Sequence, residues 1–376
     1  MSSVDSGTEP DPIAEGAAGP ASPADPIAAG AAGPAAPLAP IAVRAAAPAV
    51  LPEPGPAVAG LAWRPLSRAD VPALSALVAR IEEADAEPTR TSESEVDEMF
   101  DGDWKDPVTD SRVGVDADGV PRAWIAVEAP PGDVRTVRAY LSGGVDPAYR
   151  GRGVGRALVA WGEARGRQLL AATGKDVPGR VAAFLTERNV GALALYGAAG
   201  FTPVRYYTDM RRDLSQPLPE PVATPGVRIV PWSDDLDDAV RVAHNEAFAD
   251  HWGSEPRTPE SWQVGRSMFA PRWSHVAVDE ATGEVAGYTV SGRYEQDWAV
   301  AGYSSGYTEL LGVRRAWRGR GIAVALLAAA MRSFRDDGIQ YAELDVDTAN
   351  PSGAHGLYAD LGYERTHGSV MVSIEV

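Results

Sequence analysis

One stretch of this sequence occurs twice. Val145 to Gly155 reads VDPAYRGRGVG, and Val313 to Ala323 reads VRRAWRGRGIA. The shared frame is Arg-x-x-Gly-x-(Gly/Ala), set each time between an apolar strand-like run and an amphipathic helical one. Small residues keep side chains out of the way there, so that successive backbone N–H groups at a helix start can point outward at an anion such as a pyrophosphate. Neither copy carries the Gly-Lys-(Ser/Thr) of a nucleotide-triphosphate loop, and neither follows a first strand as a dinucleotide fingerprint does.

The surroundings repeat as well. A strand over 61–66 precedes a helix opened by Ser67-Arg68-Ala69-Asp70, with apolar residues at Val71, Leu74, Leu77 and Val78. A second helix is expected over 93–100, strands over 112–115, 123–127 and 136–145, and a helix over 154–170. Strand 181–185, helix 189–199 and strand 203–209 complete the first copy. Gln216 to Pro225 then holds four prolines in ten residues, a stiff linker. The order returns with strand 227–230, helices 236–248 and 259–264, strands 275–278, 284–291 and 305–313, helix 322–334, strand 341–347, helix 352–361 and strand 370–375. The period of about 160 residues is that of a duplicated domain rather than a solenoid unit. The fold class expected is α+β: two tandem domains, each a mixed, mostly antiparallel twisted sheet flanked by helices. Their bounds are 60–215 and 226–376, with the linker at 216–225. Residues 1–59 are rich in Ala, Pro and Gly and contain no aromatic residue, so they are expected to be a disordered tail.

Composition narrows the chemistry. With no cysteine there is no disulfide, thiolate metal site or Cys nucleophile, and the five histidines lack ligand spacing, so no metal is expected. Lys and Arg number 34 against 52 Asp and Glu, a net charge of −18 that repels phosphate backbones and argues against a nucleic-acid partner. The N-terminus lacks a basic stretch followed by an unbroken apolar core, so no secretory signal is expected there, and the apolar run 27–51 is broken by Pro34, Pro37, Pro40 and Pro48. No membrane span and a cytoplasmic location are therefore expected.

A second shared pattern lies downstream. Asn189 leads a helix carrying Leu195-Tyr196 and ending at Gly200-Phe201; Asn350 leads one carrying Leu357-Tyr358 and ending at Gly362-Tyr363. With both patterns in each copy, residues 61–376 resemble the GNAT N-acetyltransferase superfamily, and the tandem arrangement is similar to the mycothiol synthase type. The second turn opens with Val313-Arg-Arg-Ala-Trp, a departure from the Val-Asp-Pro opening of that type.

The resemblance implies an acetyl-CoA-dependent transfer of an acetyl group to a primary amine of a small molecule. It assigns the cofactor to Val145, Arg150, Gly151, Arg152, Gly153, Val154 and Gly155 in the first copy. In the second it assigns Val313, Arg318, Gly319, Arg320, Gly321, Ile322 and Ala323. Asn189 and Asn350 lie beside the pantetheine arm, and Tyr196 and Tyr358 near the thioester sulfur. The copies differ on the strand before the turn, where Glu309 stands opposite Leu141. A carboxylate there commonly takes the acceptor's proton, so Glu309 and Tyr358 are the expected catalytic pair, and the first copy binds CoA with no turnover required of it. Asp250, His251 and Trp252, with Asp347 at a strand end, are candidate acceptor contacts. Mycothiol synthase proper, and a non-catalytic acyl-CoA-binding module, stay open as alternatives.

Overall fold

The fold is known from a computed structural model that describes residues 38–55, 58–220, 223–349 and 354–376. The first copy runs α1 (Ile41–Arg44), β1 (Ala62–Arg64), α2 (Val71–Ala84), α3 (Glu93–Glu98), α4 (Pro107–Asp110), β2 (Ser111–Val115), β3 (Pro121–Glu128), β4 (Val137–Val145), α5 (Val154–Ala172), β5 (Gly179–Thr186), α6 (Val190–Ala198) and β6 (Thr202–Asp213). The second runs β7 (Val227–Pro231), α7 (Asp237–Ala247), α8 (Pro259–Gln263), β8 (His275–Asp279), β9 (Val285–Gly292), α9 (Glu295–Ala301), β10 (Ser305–Val313), α10 (Ile322–Asp336), β11 (Tyr341–Asp347), α11 (Ala354–Asp360) and β12 (Glu364–Glu375). The α+β expectation and the duplication hold. Helix α9 has no helical counterpart between β3 and β4.

Among the described residues the twelve strands form one sheet, ordered β1-β2-β3-β4-β5-β12-β6-β11-β10-β9-β8-β7. The last strand of each copy has changed sides. β12 pairs antiparallel with β5, Val370 opposite Leu185, while β6 pairs antiparallel with β11, Thr208 opposite Val346. Packing follows the exchange. Val370 and Val372 are buried in the first copy's core beside Leu158, Trp161 and Val181, whereas Met210 and Leu214 are buried in the second copy's core beside Met331 and Phe334. The sequence bounds of 60–215 and 226–376 are thus not the bounds of the two cores.

On α5, Val154, Leu158, Trp161 and Leu170 are buried at helical spacing against Ile125, Leu141 and Val181. On the sheet's other face α2 covers Val113 and Trp124 with Leu74, Leu77 and Val78.

The tail expectation divides. Residues 1–37 and 56–57 lie outside the described residues. Residues 38–55 do not behave as a disordered tail: Ile41 and Ala45 are fully buried in the first core. The Arg44 guanidinium donates to the carbonyls of Val177 and Val376, Arg167 to Ala45 O, and Arg112 pairs with Glu53 at 2.6 Å. A composition rich in Ala and Pro still supplies enough apolar surface when a groove matching it already exists.

Candidate active site

Each motif turn is a pair of left-handed glycines. Gly151 and Gly153 have φ of 73° and 84°, Gly319 and Gly321 of 74° and 76°, a region other residues rarely enter. A Cβ built on Gly151, Gly153 or Gly319 would meet nothing within 4 Å, so backbone conformation and not crowding requires glycine. Neither α5 nor α10 has a side-chain cap. Among the described residues the amides of Gly151 to Arg156 and of Gly319 to Val324 find no protein acceptor. Two rows of open amides, each at a helix start, fit an anionic diphosphate. Arg150 and Arg318 do not reach into that space. Each folds back, Nε donating to Val145 O and Val313 O at 3.1 Å, and braces the turn instead.

The strands beside the turns fork. β4 pairs in parallel with β5 only from Val137 to Tyr140, and β10 with β11 only from Ser305 to Thr308. Beyond those points Leu141–Val145 and Glu309–Val313 leave a wedge whose backbone can receive an extended chain as a further strand would. The forks are not equal. Between β9 and β10 the register slips by one residue at Glu309, a bulge, whereas β3 and β4 keep unbroken register through Leu141. The bulge turns Glu309 toward Gly292, where a Cβ would lie 2.2 Å from its Oε1, and the Tyr294 hydroxyl donates to that oxygen at 2.9 Å. Burial pushes the Glu309 carboxyl above the usual range, against the hydrogen bond from Tyr294 that lowers it.

The sequence compares with known proteins accordingly. The model of the "Acetyltransferase (GNAT) family" matches residues 78–201 and again 238–363. The chain belongs to the GNAT acetyltransferase family. A mycothiol acetyltransferase of Frankia alni is 30% identical over 309 residues, 78% of this chain and 89% of that one. One from Tsukamurella paurometabola is 31% identical over 58% of this chain and 72% of its own. Among solved structures, a GCN5-related N-acetyltransferase from Sphaerobacter thermophilus superposes with a TM-score of 0.62 at 30% identity, covering 84% of this chain and 95% of that one. A tandem GNAT protein from the clavulanic acid biosynthesis pathway reaches 0.61 at 21% identity over 84% and 98%, a likeness of fold. This chain is an N-acetyltransferase.

In this acetyltransferase the remaining candidates are distributed as follows. Asn189 caps α6, its Oδ1 accepting from Ala192 N at 3.0 Å, and its amide donates to Asp85 and Glu87. Asn350 lies outside the described residues. Tyr196 and Tyr358 are both buried, edge-on to Phe201 and Tyr363, and burial pushes both phenols up to about 12. Asp250, His251 and Trp252 are not gathered at one place. Asp250 is ion-paired with Arg315, His251 Nδ1 meets Ser254 Oγ at 3.1 Å, and Trp252 lies against the guanidiniums of Arg180 and Arg205, 4.4 and 4.3 Å away. Asp347 joins Trp252 through Arg205, at 3.9 Å. The loop carrying the three is a contact between the copies: Glu255 accepts from the amides of Val134, Arg135 and Thr136.

Sequence reading missed a cavity of about 930 Å³ in the first copy. It runs from the Gly151–Gly155 turn past Val145, Asn189 and Tyr196 to Glu82, Glu95 and Trp104. The turn and the Asn-Tyr helix mark one end of it. The other end is assembled from α2, α3 and their loop, where no local spacing signals a site.

Proposed function

We propose that this acetyltransferase uses acetyl-CoA to acetylate a primary amine of a small molecule in its second copy, while the first binds the cofactor without turnover. The observation that carries the reading is the bulge at Glu309, absent from the first copy. When bound, acetyl-CoA supplies an acyl carbon activated as a thioester, its diphosphate on the open amides of Gly319 to Ala323. Glu309, raised by burial, takes the proton from the attacking amine. Tyr358, whose phenol is protonated at neutral pH as any tyrosine's is and is held so by burial, gives a proton to the leaving thiolate. Tyr294 holds the Glu309 carboxylate in place through its 2.9 Å hydrogen bond. The cytoplasm is the setting this reading expects. Among the described residues no helix is long and apolar enough to cross a membrane, and the charge of −18 favours a cationic acceptor over nucleic acid.

The names of the relatives support a second reading of the acceptor, the cysteinyl amine of a sugar conjugate as in mycothiol formation. Release of CoA thiol with a panel of primary amines that includes such a conjugate separates the two. Glu309→Gln and Tyr358→Phe are each expected to lower kcat by more than about tenfold, within the usual range for acid–base groups, with CoA affinity little changed. Tyr196→Phe is expected to do much less. If Tyr196→Phe abolished turnover while the other two were silent, the active site would belong to the first copy.

A further inference from the structure

Tyr294, whose hydroxyl holds the Glu309 carboxylate, opens α9, a helix of seven residues. Its side chain makes no cap bond to that helix and is turned to Glu309 instead. A helix of two turns is marginal by itself, because nucleation is costly and few hydrogen bonds follow to offset it. The placing of Tyr294 therefore depends on what holds α9.

The two ends of α9 are held from different sides. Trp298 is tied within the second copy: its indole N–H donates to Ser305 O at 3.1 Å, and its ring packs on that copy's core. The first turn is held from the first copy. Asp297 Oδ1 accepts from Arg90 N at 2.6 Å, and Gln296 Nε2 donates to Glu95 Oε2 at 2.9 Å. Within its own copy Gln296 makes only a weak contact, 3.7 Å to Met268 Sδ. Asp297 is in turn joined to Tyr294, its amide donating to Tyr294 O at 3.1 Å.

The first-copy side of this seam is itself fixed. Thr91, the neighbour of Arg90, donates from N and Oγ1 to Glu82 of α2 at 3.1 and 2.6 Å. Glu95 is locked in the capping box of α3, accepting from Ser92 N at 2.8 Å. A third bond crosses nearby, from Ser267 N to Glu98 Oε1 at 2.5 Å. The seam lies close enough to Glu309 for its charges to act there: Glu95 and Glu98 both add to the upward push that burial gives the Glu309 carboxyl.

The comparison between copies is independent of these bonds. No helix stands between β3 and β4, and Leu141, at the place of Glu309, offers no carboxylate to hold. The added helix occurs in the copy where its first residue has a carboxylate to set.

We propose that Asp297, assisted by Gln296, is a positioning residue for the acetyl transfer: clamped by Arg90 and Glu95 of the first copy, it sets Tyr294 against Glu309. The first copy thus serves the reaction without turning over. The proposal rests on the role given to Glu309 above.

Two measurements on the full chain need no acceptor. Asp297→Ala is expected to speed hydrogen exchange in the peptide 294–301 by about tenfold, the effect of losing one hydrogen bond. It is also expected to raise carbodiimide labelling of Glu309, read by mass spectrometry, to the level seen in Tyr294→Phe. Asp297→Asn keeps an acceptor oxygen in place and should restore both. With the primary amine that releases CoA fastest, Asp297→Ala and Tyr294→Phe should each lower kcat by about tenfold, with KM for acetyl-CoA unchanged. The double variant should be no slower than either alone, whereas independent effects would multiply to about a hundredfold. If Asp297→Ala fails to fold, Gln296→Ala, expected to act in the same direction, decides; if no amine is turned over, exchange and labelling decide. Unchanged labelling of Glu309 in a folded variant, no rescue by Asp297→Asn, or a multiplicative double variant would each overturn the proposal. Full turnover by Glu309→Gln would remove the acid–base reading and the proposal with it. Loss of turnover there, beside an Asp297→Ala chain that behaves as the wild type, would overturn the positioning role alone.

Discussion

Glu309 shows how much one side chain depends on its neighbour's lack of one. Gly292 leaves the space in which the carboxylate turns, and any Cβ there would force it out. Asp209 is governed by charge rather than space. Burial first, then Asp345 and Glu343, push its carboxyl from the ordinary 3.8 up to about 7. His367 Nε2 lies 3.4 Å away, but burial lowers that imidazole's own pKa and leaves it little positive charge to offer at neutral pH. The folded chain therefore keeps a proton on Asp209 that the unfolded chain releases near pH 4. Stability from this group is full below the unfolded value and is lost as pH rises through about 7. Thermal melts should show the melting temperature falling between about pH 4 and about pH 7, and Asp209→Asn should make that fall smaller by several degrees. An unchanged slope would mean that Asp209 is ionised throughout.

Among the elements, the segment around α1 behaves least as its composition suggests. Four residues of helix bury Ile41 and Ala45 against α5, and Arg44 ties the segment to the C-terminal Val376 carbonyl. Ile41→Ala should lower the unfolding free energy by about 2–5 kcal/mol, the range for a buried aliphatic cut to a methyl group. A chain beginning at residue 59 should melt well below one beginning at residue 38, as denaturant titration of the two will show. Equal midpoints would return the segment to the status of a dispensable tail. Helix α9 was equally hidden in the sequence. Its Asp297 accepts from Arg90 N at 2.6 Å and its neighbour Gln296 donates to Glu95, so it is held by contacts with the other copy rather than by a strong apolar period of its own.

At the scale of the whole molecule, exchange of β6 and β12 makes the copies inseparable by a single cut. Each core contains a strand from the other copy, hydrogen-bonded along seven residue pairs between β5 and β12 and seven between β6 and β11. Cleavage at a protease site placed in 216–220 should leave both fragments eluting together in size-exclusion chromatography at the volume of the intact 39.5 kDa chain, and denaturant should be needed to part them. Separate elution without denaturant would show that the exchanged strands contribute little.

What the sequence determined by itself was local. The paired Arg-x-x-Gly turns, the helix capped by Asn189 and the spans of β10 and β11, read as 305–313 and 341–347, follow from glycine's access to positive φ, from side-chain capping and from the periods of helix and strand. The same patterns carried the family. The position of Glu309 before the turn was also legible, because it lies a fixed distance along one strand. Tertiary structure alone decided which strands ended up adjacent. β5 offers the same open edge to β6 or β12, and no local pattern chooses between two strands of like length and period. It also decided the fate of Asp250, His251 and Trp252, which lie side by side in sequence and part in space, and it brought Glu82, Glu95, Trp124 and Phe184 from four elements to one cavity. Spacing along a chain reports on one helix or strand, whereas a wall built from several is fixed only when their faces pack.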